Sequence, residues 1–206
     1  MRYLFLASLL FINNFFSTVM ATEEPEFKLI SEEGEFQIRE YDPKIIAQVE
    51  VEGDFDEASS VGFKLLADYI FGNNLLEGES QKISMTTPVE MSPMSENFLI
   101  TSPVMDDQVN DKWLMNFVMP QEYSLDTLPK PNNPQVKIIE VPKEKYAVIL
   151  FSGLVREFSY SEKVELLHNY LEENGLKQQS AVKIARYNPP WTLPFFRRNE
   201  LMVRID

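Results

Sequence analysis

With 206 residues, 44% of them hydrophobic and 25% charged, the chain is long enough for one domain with a substantial core and too apolar for a disordered or repetitive protein. Its net charge of −13 argues against non-specific binding to nucleic acid or anionic lipid, since both need a basic surface. Cysteine is absent, which removes disulfides and thiol catalysis and leaves hydrophobic burial to hold the fold.

In chain order, residues 1–21 read as a signal peptide. Arg2 gives a positive start, residues 3–12 form an apolar run, and Val19-Met20-Ala21 offers small or compact residues at a cleavage site. The polar break at Asn13-Asn14 leaves the run short of the roughly 20 apolar residues a bilayer span needs. The expectation is an exported protein, periplasmic or secreted, whose working domain is residues 22–206.

Residues 40–53 form a strand-like run ending in glycine. A helix follows, opened by Asp54 with Glu57, striped by Ala58, Val61, Leu65 and Tyr69, and stopped at Gly72. Strand-like segments come next at 83–91, 98–105 and 113–119. Residues 121–135, rich in proline and polar side chains, read as a surface linker. Residues 140–153 then line up with 40–53 at an offset of about 100 residues. Ser159 and Glu162 open a second helix carrying Val164, Leu167 and Leu171, closed at Gly175, and strands at 181–187 and 200–205 end the chain. The reading is an α+β domain: a duplicated strand-helix-strands unit forming a distorted, mostly antiparallel barrel-like sheet flanked by two helices.

Chemistry is narrowed by elimination. The single histidine, His168, has no G-x-S-x-G partner motif, and one histidine without cysteine cannot build a zinc or copper site. Calcium-loop spacing, G-x-G-x-x-G and a P-loop are all missing. His168 therefore reads as a helix-surface residue. Met85, Met91, Met94, Met105, Met115 and Met119 crowd the first half, either as gap-fillers of the core or as a flexible face for a flat apolar ligand.

The stretch ARYNPPWTLPFFRRNE, residues 185–200, combines apolar ring faces (Tyr187, Trp191, Phe195, Phe196), stiffening prolines and three arginines (Arg186, Arg197, Arg198) able to pair with carboxylates. It fits recognition of an aromatic acid. The alternative is a structural corner whose arginines pair with some of the 32 acidic residues.

Together with LLADYIFGNN (65–74), KISMTTPVEM (82–91), FVMP (117–120) and FSG (151–153), that stretch closely resembles the SOUL, or heme-binding protein, family over about residues 27–205. The resemblance implies a distorted barrel with two helices, binding of heme or another tetrapyrrole, and no enzymatic activity by default. It places the pocket beside the first helix (Ser60, Phe63, Lys64, Ala67) and the loop before the last strand (Tyr187, Trp191, Phe195, Arg197, Arg198). The implied role is a carrier or scavenger holding a porphyrin by apolar contact and arginine-carboxylate pairing.

Two positions depart from the family pattern. Glu40 stands where one branch carries a histidine proposed as iron ligand, and Ser60 and Asp68 stand where another branch has basic residues near the propionates. Lys64, Arg186, Arg197 and Arg198 are the candidates to compensate. Two other readings remain open: an effector-type module for a cationic amphiphile near Glu40 and Asp68, and a cofactor-free hydrolase or isomerase using Glu40 with Tyr69 or Tyr187.

Overall fold

The computed structural model describes residues 22–94, 112–155 and 157–206. Strands β1 (Phe27–Glu33) and β2 (Phe36–Tyr41) form a hairpin, and a short turn leads into β3 (Lys44–Glu52) and helix α1 (Phe55–Ile70). Then come β4 (Asn74–Leu75), β5 (Val89–Pro93), β6 (Lys112–Val118), β7 (Lys130–Pro131), β8 (Lys137–Val141) and β9 (Glu144–Phe151). Helix α2 (Glu157–Glu173), β10 (Lys183–Arg186), a 3₁₀ turn (Pro194–Phe196) and β11 (Asn199–Ile205) complete the chain.

Nine strands build one antiparallel sheet in the order β1-β2-β9-β11-β10-β5-β6-β3-β8, curled into a half-barrel, while β4 and β7 pair separately. The β10–β5 pair lies near the middle of the sheet: outward lie β11, β9, β2 and β1 on one side, β6, β3 and β8 on the other. Helix α1 packs over β3 and β6, and α2 over β9 and β11. The central strands β10 and β5 thus run between the two helices.

Helix α1 starts where Asp54 accepts the Glu57 N–H at 2.8 Å and ends at Phe71, with Gly72 at φ 127° turning the chain away. Its buried face is Ala58, Gly62, Leu66, Tyr69 and Ile70. The expected stripe is corrected here: Val61 is 41% exposed and Leu65 only partly buried. The reason is Gly62. A Cβ there would stand 3.0 Å from Met115 Sδ and 3.2 Å from Met115 Cβ, so the helix seats its barest side on the sheet. A stripe read from large apolar side chains overlooks a contact made through a missing one.

Helix α2 begins at Glu157, two residues before the expected cap at Ser159, and buries Tyr160, Val164, Leu167 and Leu171. Only the end of the expected strand at 83–91 is a ladder, beginning at Val89; the expected strand at 98–105 lies outside the described residues. The 121–135 segment does more than cross the surface, since it buries Leu128 and its Pro129 carbonyl accepts the Tyr69 hydroxyl at 2.7 Å.

Side chains alternate between two unlike faces, as the two-residue period of a strand demands. Toward the helices lie Val49, Met115, Ile149 and Leu201, all sealed from solvent. Met91, Met115 and Met119 are buried and Met85 is packed against the same core, which is gap-filling; Met94 is 47% exposed. The other face is charged. Glu90 takes Lys44 Nζ and Lys183 Nζ, each at 2.9 Å, and Lys183 also sits 4.3 Å over the Tyr146 ring. Arg39, 1% exposed, grips Glu200 in two bonds of 2.8 and 3.1 Å and donates to the Tyr41 hydroxyl.

Candidate ligand-binding site

One rung of the sheet organises the site. Across it Phe151, Asn199, Arg186, Val89 and Phe117 stand in register on β9, β11, β10, β5 and β6. Phe63 of α1 packs edge-on against Phe117 with centroids 5.4 Å apart, which brings the helix to this rung. Arg186 donates to Ser59 Oγ at 2.7 Å and lies 5.5 Å from the Phe55 ring, tying the start of the 187–198 loop to the same helix. The structure therefore joins α1 to the start of the loop through Arg186, while the loop's 3₁₀ turn is bonded to Gly153 just beyond β9.

On α1, Ser60, Phe63, Lys64 and Ala67 follow i, i+3, i+4, i+7 spacing and share one face. Ser60 and Lys64 are exposed, Phe63 is 39% exposed and Ala67 is partly covered. Lys64 makes no ion pair with any described residue.

The loop residues divide into two groups. Trp191 (82% exposed), Phe195 (65%) and Phe196 (69%) project outward. Tyr187, by contrast, is turned under the loop, donating its hydroxyl to Glu200 at 2.8 Å; burial and the Glu200 charge push its pKa well above the ordinary tyrosine range.

The two arginines expected to meet ligand carboxylates are already engaged. Arg197 donates from Nε to the Thr192 carbonyl at 2.8 Å and from Nη2 to the Pro190 carbonyl, so it braces the loop from within. Arg198 bonds Glu200 at 2.9 Å and Glu24 at 3.0 Å, with its guanidinium 3.7 Å over Tyr187.

Arg186 is the opposite case. It is partly buried, and burial lowers its pKa, yet it forms no salt bridge with a described carboxylate; its one described hydrogen-bond partner is Ser59. A guanidinium carries five donors, so Arg186 keeps unused hydrogen-bonding capacity beside α1. Sequence reading named Arg186 but gave more weight to the adjacent pair. The signal separating them is register: Arg186 lies on the helix-facing side of β10, whereas Arg198 turns toward Glu200.

Neither Glu40 nor His168 is near this end of the sheet. Glu40 pairs with Lys143 beside the start of β9, the far end of that strand from Phe151. His168 is hydrogen-bonded to Gln178, which bridges to Ile205 at the end of β11, a strand length or about 20 Å from the loop. Its Nε2 is buried without a hydrogen-bond partner among the described residues, and burial lowers its pKa. Asp68 accepts from Asn73 near the end of α1.

A cleft of about 500 Å³ opens just beyond Phe117, where Ile45, Met119 and Tyr123 meet Glu26, Asp42 and Glu140, and it is also lined by Glu24, the partner of Arg198. No described helix is long and apolar enough to cross a membrane.

Solved structures of similar shape include the EcmrR C-terminal domain (TM-score 0.61, 10% identity, 83% of this chain and 96% of that one). A hydrolase from Listeria innocua is also similar (TM-score 0.53, 13% identity, 86% and 94%), as is an uncharacterized conserved protein from Listeria innocua (0.54, 13%, 91% and 94%). At such identity these likenesses speak for the fold alone. Among curated proteins none matches in sequence. The sequence pattern of the SOUL heme-binding protein family matches residues 22–204, nearly every residue of the half-barrel, its two helices and the loop that follows Arg186, so the chain belongs to the SOUL heme-binding protein family.

Proposed function

We propose that this chain is an exported tetrapyrrole-binding protein, a carrier or scavenger rather than an enzyme, which seats a porphyrin between the α1 face of Phe63 and Ala67 and the Trp191–Phe195 side of the loop. Heme and its relatives are flat, apolar and edged with carboxylates. The observation that carries the reading is Arg186, a guanidinium beside α1 that forms no ion pair with a described carboxylate, Asp56 being near enough only to favour its charge. Lys64 is the second cation free to meet a propionate. Arg197 and Arg198 serve by keeping the loop in shape.

Iron ligation by this chain is not part of the proposal, because Glu40 lies beside the start of β9 and His168 on α2 near the end of β11, both away from Arg186. A hydrolytic role lacks support as well, since the Tyr69 and Tyr187 hydroxyls are both given to internal acceptors. Export rests on the apolar leader with its cleavage-like end.

The test is a hemin titration followed in the Soret band. Saturable one-to-one binding is expected, weakened about tenfold or more by Arg186→Gln, the scale of a charge-assisted hydrogen bond. Arg197→Ala acts mainly on loop order. No saturable binding by the native chain would end the proposal. A second reading, a module for a cationic amphiphile, is favoured by the acid-rimmed cleft at Glu26, Asp42 and Glu140; saturable binding of a lipophilic cation that Glu140→Gln weakens would support it.

A further inference from the structure

The tip of the loop between β10 and β11 places four large apolar side chains within six residues, Trp191, Leu193, Phe195 and Phe196, at 82, 55, 65 and 69% exposure. Such exposure usually collapses onto the body, but this loop is stiffened against it. Pro189, Pro190 and Pro194 fix its backbone, Thr192 N–H donates to the Pro189 carbonyl, Arg197 bridges two of its carbonyls, and Gly153 N–H donates to the Pro194 carbonyl. The rings are therefore held outward.

Their arrangement is convex. Around a 3₁₀ turn successive side chains diverge by about a third of a circle, and the Phe195 and Phe196 planes are tilted by 53°. A rigid flat partner can cover only part of such a tip, whereas a fluid surface can cover all of it. Residues 186–199 also contain three arginines and no carboxylate in a chain of net charge −13; Arg198 is paired with Glu24 and Glu200, but the loop itself adds no negative charge to repel headgroup phosphates. Trp and Phe beside Arg are the residue types that settle at the headgroup level of a bilayer.

From this geometry we infer that the 191–196 tip is a wedge by which the folded protein seats itself on the interface of a zwitterionic phospholipid bilayer. The chain's net charge opposes strongly anionic bilayers, which commits the wedge to phosphatidylcholine-type surfaces. The inference is independent of tetrapyrrole binding, although Trp191 and Phe195 serve both, so the test is made without porphyrin.

The experiment uses the full chain with phosphatidylcholine vesicles, comparing native protein with Trp191→Ala and with a Trp191→Ala, Phe195→Ala, Phe196→Ala variant, all at exposed positions. The chain has two tryptophans, and Trp113 is buried, so the native minus Trp191→Ala emission isolates Trp191. Expected are a blue shift of that emission on adding vesicles, its quenching by lipids brominated along the acyl chain, and a loss of vesicle-bound protein of about tenfold or more in the triple variant. An emission unmoved by vesicles would overturn the inference, even if the leader draws the chain to lipid. Burial of Trp191 by self-association, to the same extent without lipid, would overturn it too.

Discussion

Replacing Glu90 with glutamine separates the charged face of the half-barrel from the apolar one. Glu90 is 2% exposed, and although burial alone would raise its pKa, Lys183 and Lys44 hold it down to about 2. A carboxyl whose folded pKa lies below its unfolded value of 4.5 contributes stability that is complete above pH 4.5 and lost as the pH falls toward 2. The gap corresponds to about 3 kcal/mol. Glu90→Gln keeps the shape and removes the charge, leaving two lysines buried together. Breaking a buried ionic group in this way costs about 3–5 kcal/mol.

Urea denaturation at pH 7 should show that loss, with an unchanged slope. The variant should also lose the native steepness between pH 4.5 and 2. Because burial already lowers the Lys44 pKa, the variant should regain stability as the pH rises toward 10, where a buried lysine sheds its proton. A variant within about 1 kcal/mol of native at pH 7, with the native acid profile, would refute the ionic account of this face.

Three further outcomes follow from other parts of the fold. Arg39→Met should cost about 1–3 kcal/mol in chemical denaturation, since it strips the fully buried Glu200 of its bidentate partner and leaves it Arg198 and Tyr187. Gly62→Leu should lower stability by about 1–3 kcal/mol through overpacking on Met115, and Met115→Ala in the same chain should recover part of the loss, which a double-mutant cycle reads. His168, whose folded pKa is lowered by burial, contributes stability that is present above 6.5 and declines as the pH falls below it. His168→Leu should remove that slope between pH 7 and 5 in thermal unfolding, a window in which Glu90 is silent.

Much of this architecture is legible in the sequence because its signals are local. The Asp54 cap, the turns at Gly72 and Gly175 and the alternation of Leu201, Val203 and Ile205 each follow from a few adjacent residues. The face of α1 is not, because it depends on a glycine meeting a methionine 53 residues later. Nor does periodicity reveal the pairing of Arg39 with Glu200, 161 residues apart, or that the same carboxylate also claims Arg198 and Tyr187.

The site divides in the same way. Motifs locate both of its segments, and the aromatic residues among them do project outward. Which arginine stays free is a matter of strand register, since neighbours on a strand point to opposite faces. Arg186 points to the helices, Arg198 lies over Tyr187, and Arg197 is spent on loop carbonyls.

The central claim is that Arg186 recognises a carboxylate of a bound porphyrin. It is tested most directly by comparing protoporphyrin IX with its dimethyl ester, whose carboxylates are masked, on the native chain and on Arg186→Gln. Esterification should weaken binding to the native chain by about tenfold or more and leave binding to the variant nearly unchanged, because the partner it removes is already gone. Equal losses in both proteins would contradict the claim and place carboxylate recognition elsewhere in the groove.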